Sequence, residues 1–236
     1  MADKPLLNTG QLAIVEDAVR TAEARTTGEI YCVVAAESSD YGEIPLAWGA
    51  IVALAAPAIL FVTGVQVSVP DIFEGWSAAQ VGRAAEAAAH EALGAALVLQ
   101  MVLFAATALI VRTGSVRLAL ASRSLKRGRV RRRAQEQFFA KNLHLTRERT
   151  GVLIYVSAAE HMAEIVADEG IAARVDQTAW DGAMAALIDG VKRGDAAAGL
   201  TAAIAQCADI LAEHFPVRPG DNPNEIPDAV ALLPKL

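Results

Sequence analysis

Two long stretches without charged side chains dominate the hydrophobic pattern of the chain. The first, residues 44–64, holds 21 residues, and the second, residues 92–111, holds 20 residues with Gln100 as its strongly polar side chain. A helix of about 20 apolar residues spans the hydrocarbon core of a bilayer, and it satisfies its own backbone hydrogen bonds there. The rest of the chain is too short to surround two uncharged helices on all sides. The pattern therefore predicts a transmembrane hairpin at 44–111, with an external loop at 65–91.

The charge balance predicts how this hairpin is oriented. The loop 65–91 carries four acidic residues and one arginine, whereas Arg112 to Arg149 holds 12 basic residues against two acidic ones. Short flanks rich in Lys and Arg stay in the cytoplasm. Because two spans return the chain to its starting side, we expect both termini in the cytoplasm. The predicted location is the bacterial inner (cytoplasmic) membrane.

Outside the hairpin, helical and strand patterns alternate. An amphipathic helix is predicted from Asn8, which forms a capping box with Gln11. The β-branched run 29–36 predicts a buried strand. Residues 151–157 and 162–167 predict two further strands that form an antiparallel hairpin. The first two strands are separated by the spans and a helix, and this arrangement favours a parallel pair.

The remaining helices complete one domain in two pieces. Residues 124–143 have a helical composition, and two closing helices are predicted to be capped by Asp176 and Asp195. The chain is thus divided into residues 1–43 and 112–215 as two parts of one α/β domain, and 216–236 as an extended, Pro-rich tail. The cysteines, Cys32 and Cys207, are interpreted as small core residues. A disulfide between them is the alternative.

Four short motifs resemble a known family when their order and spacing are taken together. They are Thr27-Gly28-Glu29-Ile30, Thr150-Gly151-Val152-Leu153-Ile154, the run from Glu164 to Gly170, and Gly194-Asp195 with Gly199-Leu200. In this order they resemble the TPM domain family over residues 8–43 and 123–215. The resemblance implies a small α/β sandwich of the TPM type, here interrupted by the two-helix transmembrane hairpin. It also implies acid phosphatase activity or divalent-cation binding in some members, while many have no assigned activity.

Acidic residues near the end of the third strand are the candidates for a metal site. Asp168, Glu169 and Asp176, with Asp181 nearby, offer the oxygen ligands that Ca²⁺ or Mg²⁺ prefers. The alternative is structural: Asp176 caps a helix, and Asp168 with Glu169 forms a solvated turn. Nucleophile-elbow, phosphate-loop, HExxH and CxxC motifs do not occur in the sequence. This pattern favours a protein without catalysis over an enzyme.

A basic run follows the second span and admits three interpretations. The favoured one is a topology signal that also contacts anionic lipid headgroups, to which each cation contributes about 1 kcal/mol. A surface for an acidic partner is the second. Nucleic-acid binding is the third, and it is disfavoured because aromatic residues do not alternate with the arginines. The predicted membrane-surface residues are Arg123, Lys126, Arg127, Arg129, Arg131, Arg132 and Arg133.

Together these predictions describe an integral membrane protein with a cytoplasmic TPM-like domain. The preferred function is a non-catalytic module that binds an unidentified protein partner and supports the assembly or repair of a membrane complex. The alternative is a divalent-metal-dependent phosphatase that uses the cluster around Asp168.

Overall fold

The computed structural model describes residues 6–64, 78–217 and 224–235. They form two compact units: Met1–Asp40 with Ser122–Leu236, and Tyr41–Ala121. In chain order the elements are α1 (Thr9–Glu23), β1 (Glu29–Ala35), α2 (Glu43–Val62), α3 (Ala78–Val111), α4 (Gly114–Leu120), α5 (Arg123–Ala140), β2 (Gly151–Ser157), β3 (Met162–Ala167), α6 (Glu169–Ala172), α7 (Asp181–Lys192), α8 (Ala196–His214) and β4 (Ala231–Leu233).

The first unit is built on a four-stranded sheet in the order β3-β2-β1-β4. Strands β1 and β2 are parallel along their whole length, from the pair Glu29–Gly151 to the pair Ala35–Ser157. Strand β3 runs antiparallel to β2. The predicted parallel pair and the predicted hairpin are both confirmed. Every residue of β1 and β2 is buried, as expected for central parallel strands covered on both faces.

Helices cover both faces of this sheet, so the unit is an α/β sandwich. Buried residues of α1, α7 and α8 pack on one face against side chains such as Ile30 and Ile154. Helix α5 packs on the other face through Val130, Ala134 and Phe138. The alternation of side-chain direction along each strand supplies both faces with apolar residues. The predicted fold class is confirmed.

The predicted caps and cysteines can be located directly. The Asn8 side chain accepts a hydrogen bond from Gln11 N at 2.9 Å, and the Gln11 side chain accepts one from Asn8 N at 3.0 Å. Asp195 caps α8, while Asp176 caps a 3₁₀ turn that precedes α7. The two cysteines are free and buried in the core. Burial raises the pKa of the Cys207 thiol to about 12, so this thiol stays protonated and unreactive.

The C-terminal segment, predicted as an extended tail, contributes a strand. Residues 231–233 form β4, which pairs in parallel with β1. The Glu29 carboxylate accepts hydrogen bonds from the backbone N–H groups of Glu225 and Ile226, each at 3.3 Å. Ile226 is buried against the α5 side of the sheet. Residues 218–223 and 236 of the predicted tail lie outside the described part of the chain.

The second unit contains the two apolar stretches as the helices α2 and α3. They pack closely: a Cβ atom at Gly49 would lie 3.1 Å from the Phe104 ring. Helix α3 begins at Ala78, so residues 78–91 of the predicted external loop are helical. Residues 65–77 of that loop lie outside the described residues. Pro57 is accommodated inside α2.

Three described helices are long and apolar enough to cross a membrane, namely those over Glu43–Leu60, Glu86–Val111 and Ala196–His214. Their environments differ. The buried shares of the first two windows are 17% and 6%, whereas half of the third is buried. The third is α8, whose Leu200, Ile204 and Leu211 are core residues of the sandwich. Its apolar composition is therefore accounted for by packing in the sandwich.

Candidate functional site

Helix α5 presents two chemically different faces. Ser122 caps its start by accepting a hydrogen bond from Leu125 N at 3.3 Å. Val130, Ala134 and Phe138 recur at four-residue spacing and face the sheet. The seven basic residues lie at other positions of the helix. The helix is therefore fixed to the sheet by an apolar stripe and carries its positive charge on the outside.

Four of the seven predicted basic residues line one cleft in the α/β unit. The cleft has a volume of about 900 Å³ and lies between α5, α7 and the β2–β3 turn. Helix α7 contributes Ile188 and Lys192, the turn contributes Glu160 and His161, and β3 contributes its first residue, Met162. We name this space the α5–α7 cleft. The predicted residues that line it are Arg123, Lys126, Arg127 and Arg131.

The other three basic residues of α5 have separate contacts. The Arg129 guanidinium donates a hydrogen bond to Ser39 Oγ at 2.8 Å, close to the end of β1. Arg132 and Arg133 both form ion pairs with Glu136, each at 3.2 Å. The structure thus divides the basic run, which was predicted as one membrane-facing set.

The α5–α7 cleft is strongly positive. Five basic side chains line it, against one carboxylate from Glu160. The Arg131 Nε lies 3.9 Å from the Glu164 carboxylate. Burial raises the pKa of Glu164, and the charges of Arg131 and Arg127 oppose this rise. Even with Glu164 counted, cations outnumber carboxylates, so an anionic ligand would be attracted.

A buried polar network lies beside the cleft, at the carboxyl ends of β1 and β2. Tyr155 OH lies 3.0 Å from Ser38 Oγ, which donates to Ser157 Oγ at 2.7 Å. Ser157 Oγ in turn donates to the Glu160 carboxylate. The same carboxylate accepts a hydrogen bond from Ser38 N at 3.0 Å. The turn after β2 is therefore tied to the chain that leaves β1.

The network pairs a hydroxyl with a carboxylate, and a hydroxyl beside a base is one arrangement that supports nucleophilic catalysis. Ser157, however, is 0% exposed, and Ser38 and Glu160 are buried as well. Burial raises the pKa of Tyr155, and the Glu160 charge adds to this effect. The phenol therefore remains a neutral hydrogen-bond partner. In this arrangement no substrate reaches the Ser157 hydroxyl, and the network stabilises the strand ends.

The acidic candidates for a metal site have other partners. Asp168 accepts a hydrogen bond from Glu169 N at 2.7 Å as the cap of α6. Glu169 lies 3.7 Å from Arg149, and Asp176 accepts from Thr178 N and Oγ1. These hydrogen bonds lower the pKa of Asp176. Across the described ranges, no group of three or more His, Cys, Asp or Glu side chains is placed to hold a metal ion.

The sequence interpretation missed the polar network and Lys192. A signal for the network is present, because Ser38 and Ser39 follow β1 and Ser157 ends β2, and the carboxyl ends of parallel strands meet at one edge. Lys192 carries no such signal. It comes from a different helix, and only the tertiary fold brings it to α5.

Comparisons with known proteins agree with this architecture. Residues 108–210 match the family model described as the TPM domain. Among solved structures, the NMR structure of the BA42 protein from the psychrophilic bacterium Bizionia argentinensis is similar, with a TM-score of 0.53 and 19% sequence identity. The similarity covers 98% of this chain and 99% of that chain, and at this identity it supports the fold alone. A search of curated proteins found no match.

Proposed function

Because the chain contains a TPM domain, matched over residues 108–210, we propose that it is an integral membrane protein whose α/β unit is a binding module. The helices α2 and α3 anchor it in the membrane. The α/β unit faces the cytoplasm, binds a protein partner, and supports the assembly or repair of a membrane complex without catalysis of its own.

The observation that carries this proposal is the apolar surface of the second unit. A soluble protein rarely exposes a large contiguous apolar patch, whereas lipid-facing helices expose Leu, Ile and Val along their length. The large hydrophobic side chains exposed on the two helices are Leu46, Ile51, Leu54, Ile59, Leu60, Val62, Leu93, Leu97, Val98, Leu99, Met101, Val102, Phe104, Leu109 and Ile110.

A matched pair of charge insertions tests the anchor. Leu54 lies in the middle of α2 and is 70% exposed, while Ile14 on α1 of the α/β unit is 57% exposed. An arginine in place of leucine at the centre of a membrane helix costs about 3 kcal/mol of insertion free energy. We expect Leu54→Arg to increase the fraction of protein that alkaline carbonate extracts from membranes, and Ile14→Arg to leave it unchanged. Wild-type protein that stays in the supernatant without detergent would contradict the anchor.

The orientation and the partner require separate experiments. A reporter fused after Leu236 should be active only if it functions in the cytoplasm, because the basic run after α3 favours the cytoplasmic side. Alkaline phosphatase activity at this fusion would overturn the orientation. Affinity purification of the full chain from detergent-solubilised membranes should recover a subunit of a membrane complex. The Ile14→Arg variant should recover the same subunit.

A second candidate function is a metal-dependent phosphatase, and the buried Oδ2 atom of Asp168 is the observation that favours it. Asp168 Oδ2 is buried and has no hydrogen-bond partner among the described residues, which suits a cation ligand. Glu169 and Asp176 are directed to other partners, so these residues do not complete a ligand set. Hydrolysis of p-nitrophenyl phosphate that requires Mg²⁺ and is lost in Asp168→Asn would favour this candidate. Equal rates with and without the ion would count against it.

A further inference from the structure

We propose that the α5–α7 cleft is a specific site for the headgroup of an anionic lipid that carries two phosphate groups. The proposal rests on the membrane anchoring proposed above and adds a ligand, a set of residues and a selectivity. General attraction to a charged surface would use all basic residues of α5, whereas this site uses those that line the cleft together with Lys192.

The spacing of the arginines fixes the size of the ligand. Arg123, Arg127 and Arg131 are four residues apart and therefore share one face of α5. At a rise of 1.5 Å per residue, the ridge from the first to the third is about 12 Å long. One phosphate group is too small to contact both ends of such a ridge. Two phosphate groups joined by a short bridge fit the ridge and leave Lys192, across the cleft, to contact one of them.

The chemistry of the lining favours phosphate. Guanidinium groups bind phosphate oxygens through paired hydrogen bonds. The three arginines on one face of α5 provide three such groups along the cleft. The cleft volume of about 900 Å³ lies within the range of ligand pockets, roughly 300–1,000 Å³. The single lining carboxylate, from Glu160, is already engaged by Ser157 and Ser38 N. A doubly charged headgroup would thus meet a surplus of cations.

Two features favour a lipid over a nucleotide or a nucleic acid. Met162 and Ile188 give the lining an apolar part that suits the glycerol backbone and the first methylene groups of a lipid. Among the described residues that line the cleft, His161 is the one aromatic ring, and Phe, Tyr and Trp, the usual platforms for base stacking, do not occur there.

Lipid binding to the full chain in an uncharged detergent tests the proposal. Native mass spectrometry would compare diphosphatidylglycerol, phosphatidylglycerol at twice the molar concentration, and inorganic pyrophosphate. The variants are Arg127→Gln and Lys192→Gln. The matched control is Arg132→Gln, because Arg132 is on the same helix, is 80% exposed and pairs with Glu136 outside the cleft.

We expect diphosphatidylglycerol to bind at least tenfold more tightly than phosphatidylglycerol. Arg127→Gln and Lys192→Gln should each weaken the binding of diphosphatidylglycerol about fivefold, which corresponds to about 1 kcal/mol per cation. Arg132→Gln should change this binding less than twofold.

Equal losses in all three variants would mean that the lipid responds only to surface charge, and this result would overturn the proposal. Equal affinity for the two lipids would overturn the two-phosphate requirement. Pyrophosphate binding as tight as that of the lipid, with the same variant pattern, would assign the cleft to a soluble ligand. None of these outcomes affects carbonate extraction, so the anchor is judged independently.

Discussion

A cluster of carboxylates where the C-terminal segment docks on β1 makes the stability of the α/β unit depend on pH. Glu23 Oε1 accepts a hydrogen bond from Ile30 N at 2.9 Å. Glu29 and Asp228 lie close enough to Glu23 to raise its pKa through their charges, and Arg20 lies 3.4 Å from Asp228. The cluster therefore joins α1, β1 and the segment that leads into β4.

The sign of the effect follows from the pKa of Glu23. Burial raises the pKa from 4.5 to about 8, and the charges of Glu29 and Asp228 add to the rise. The folded state thus binds the proton more tightly than the unfolded state, so its stability is fully present below pH 4.5 and is lost as the pH rises to about 8. The whole shift corresponds to about 5 kcal/mol. Since Glu23 is only half-buried, solvent screening reduces this to roughly 2–3 kcal/mol.

Glu23→Gln removes the titration and keeps the side-chain shape. Thermal unfolding of the full chain in uncharged detergent, followed from pH 5 to pH 9, should show a falling midpoint for the wild type and a flatter profile for Glu23→Gln. At pH 9 the variant should be the more stable protein by roughly 2–3 kcal/mol. Some slope should remain, because burial also raises the pKa of Glu29. Glu16→Gln on the same helix is the control. Identical slopes in the wild type and Glu23→Gln would refute the reasoning.

Three further predictions concern the packing and the junctions. Gly190→Ala should lower the free energy of unfolding by about 1–3 kcal/mol, because the added Cβ would collide with the backbone of Gly199. The control is Gly128→Ala on α5, where an added Cβ meets nothing within 4 Å. This control should stabilise the protein by up to about 1 kcal/mol. Glu160→Gln should cost about 1–3 kcal/mol of unfolding free energy in the same thermal assay, because it removes the charged acceptor of the buried network. Replacement of residues 41–121 by a Gly-Ser linker should yield an α/β unit that remains in solution without detergent and unfolds cooperatively; aggregation or a non-cooperative transition would contradict it.

The helices and central strands are predictable because their signals are local. The capping box of Asn8 and Gln11 and the β-branched runs of β1 and β2 specify their structures within a few residues. Strand β4 has three residues and no such signal. It forms because the edge of β1 offers unpaired backbone groups and because the Glu29 carboxylate fixes Glu225 and Ile226. These contacts are distant in sequence, so the composition of the tail indicated only an extended segment.

The candidate site is predictable in composition but not in arrangement. The basic run is evident in the sequence, and four-residue spacing alone would have grouped Arg123, Arg127 and Arg131. Lys192 joins them only through the packing of α7 beside β3. The acidic candidates show a different case: Asp168 and Asp176 are near in sequence, and each caps its own short element. Their joint role as metal ligands stays a prediction.

The buried polar network lies where the chain leaves the first unit after β1. The chain leaves the sandwich after β1, where a flexible exit would expose the ends of two central strands. Ser38 is held there through both its backbone N–H and its hydroxyl, and Arg129 of α5 holds Ser39. Each bond joins the exit to a part of the sandwich that follows the insertion in sequence. The exit is therefore closed by residues that the chain supplies only after its return.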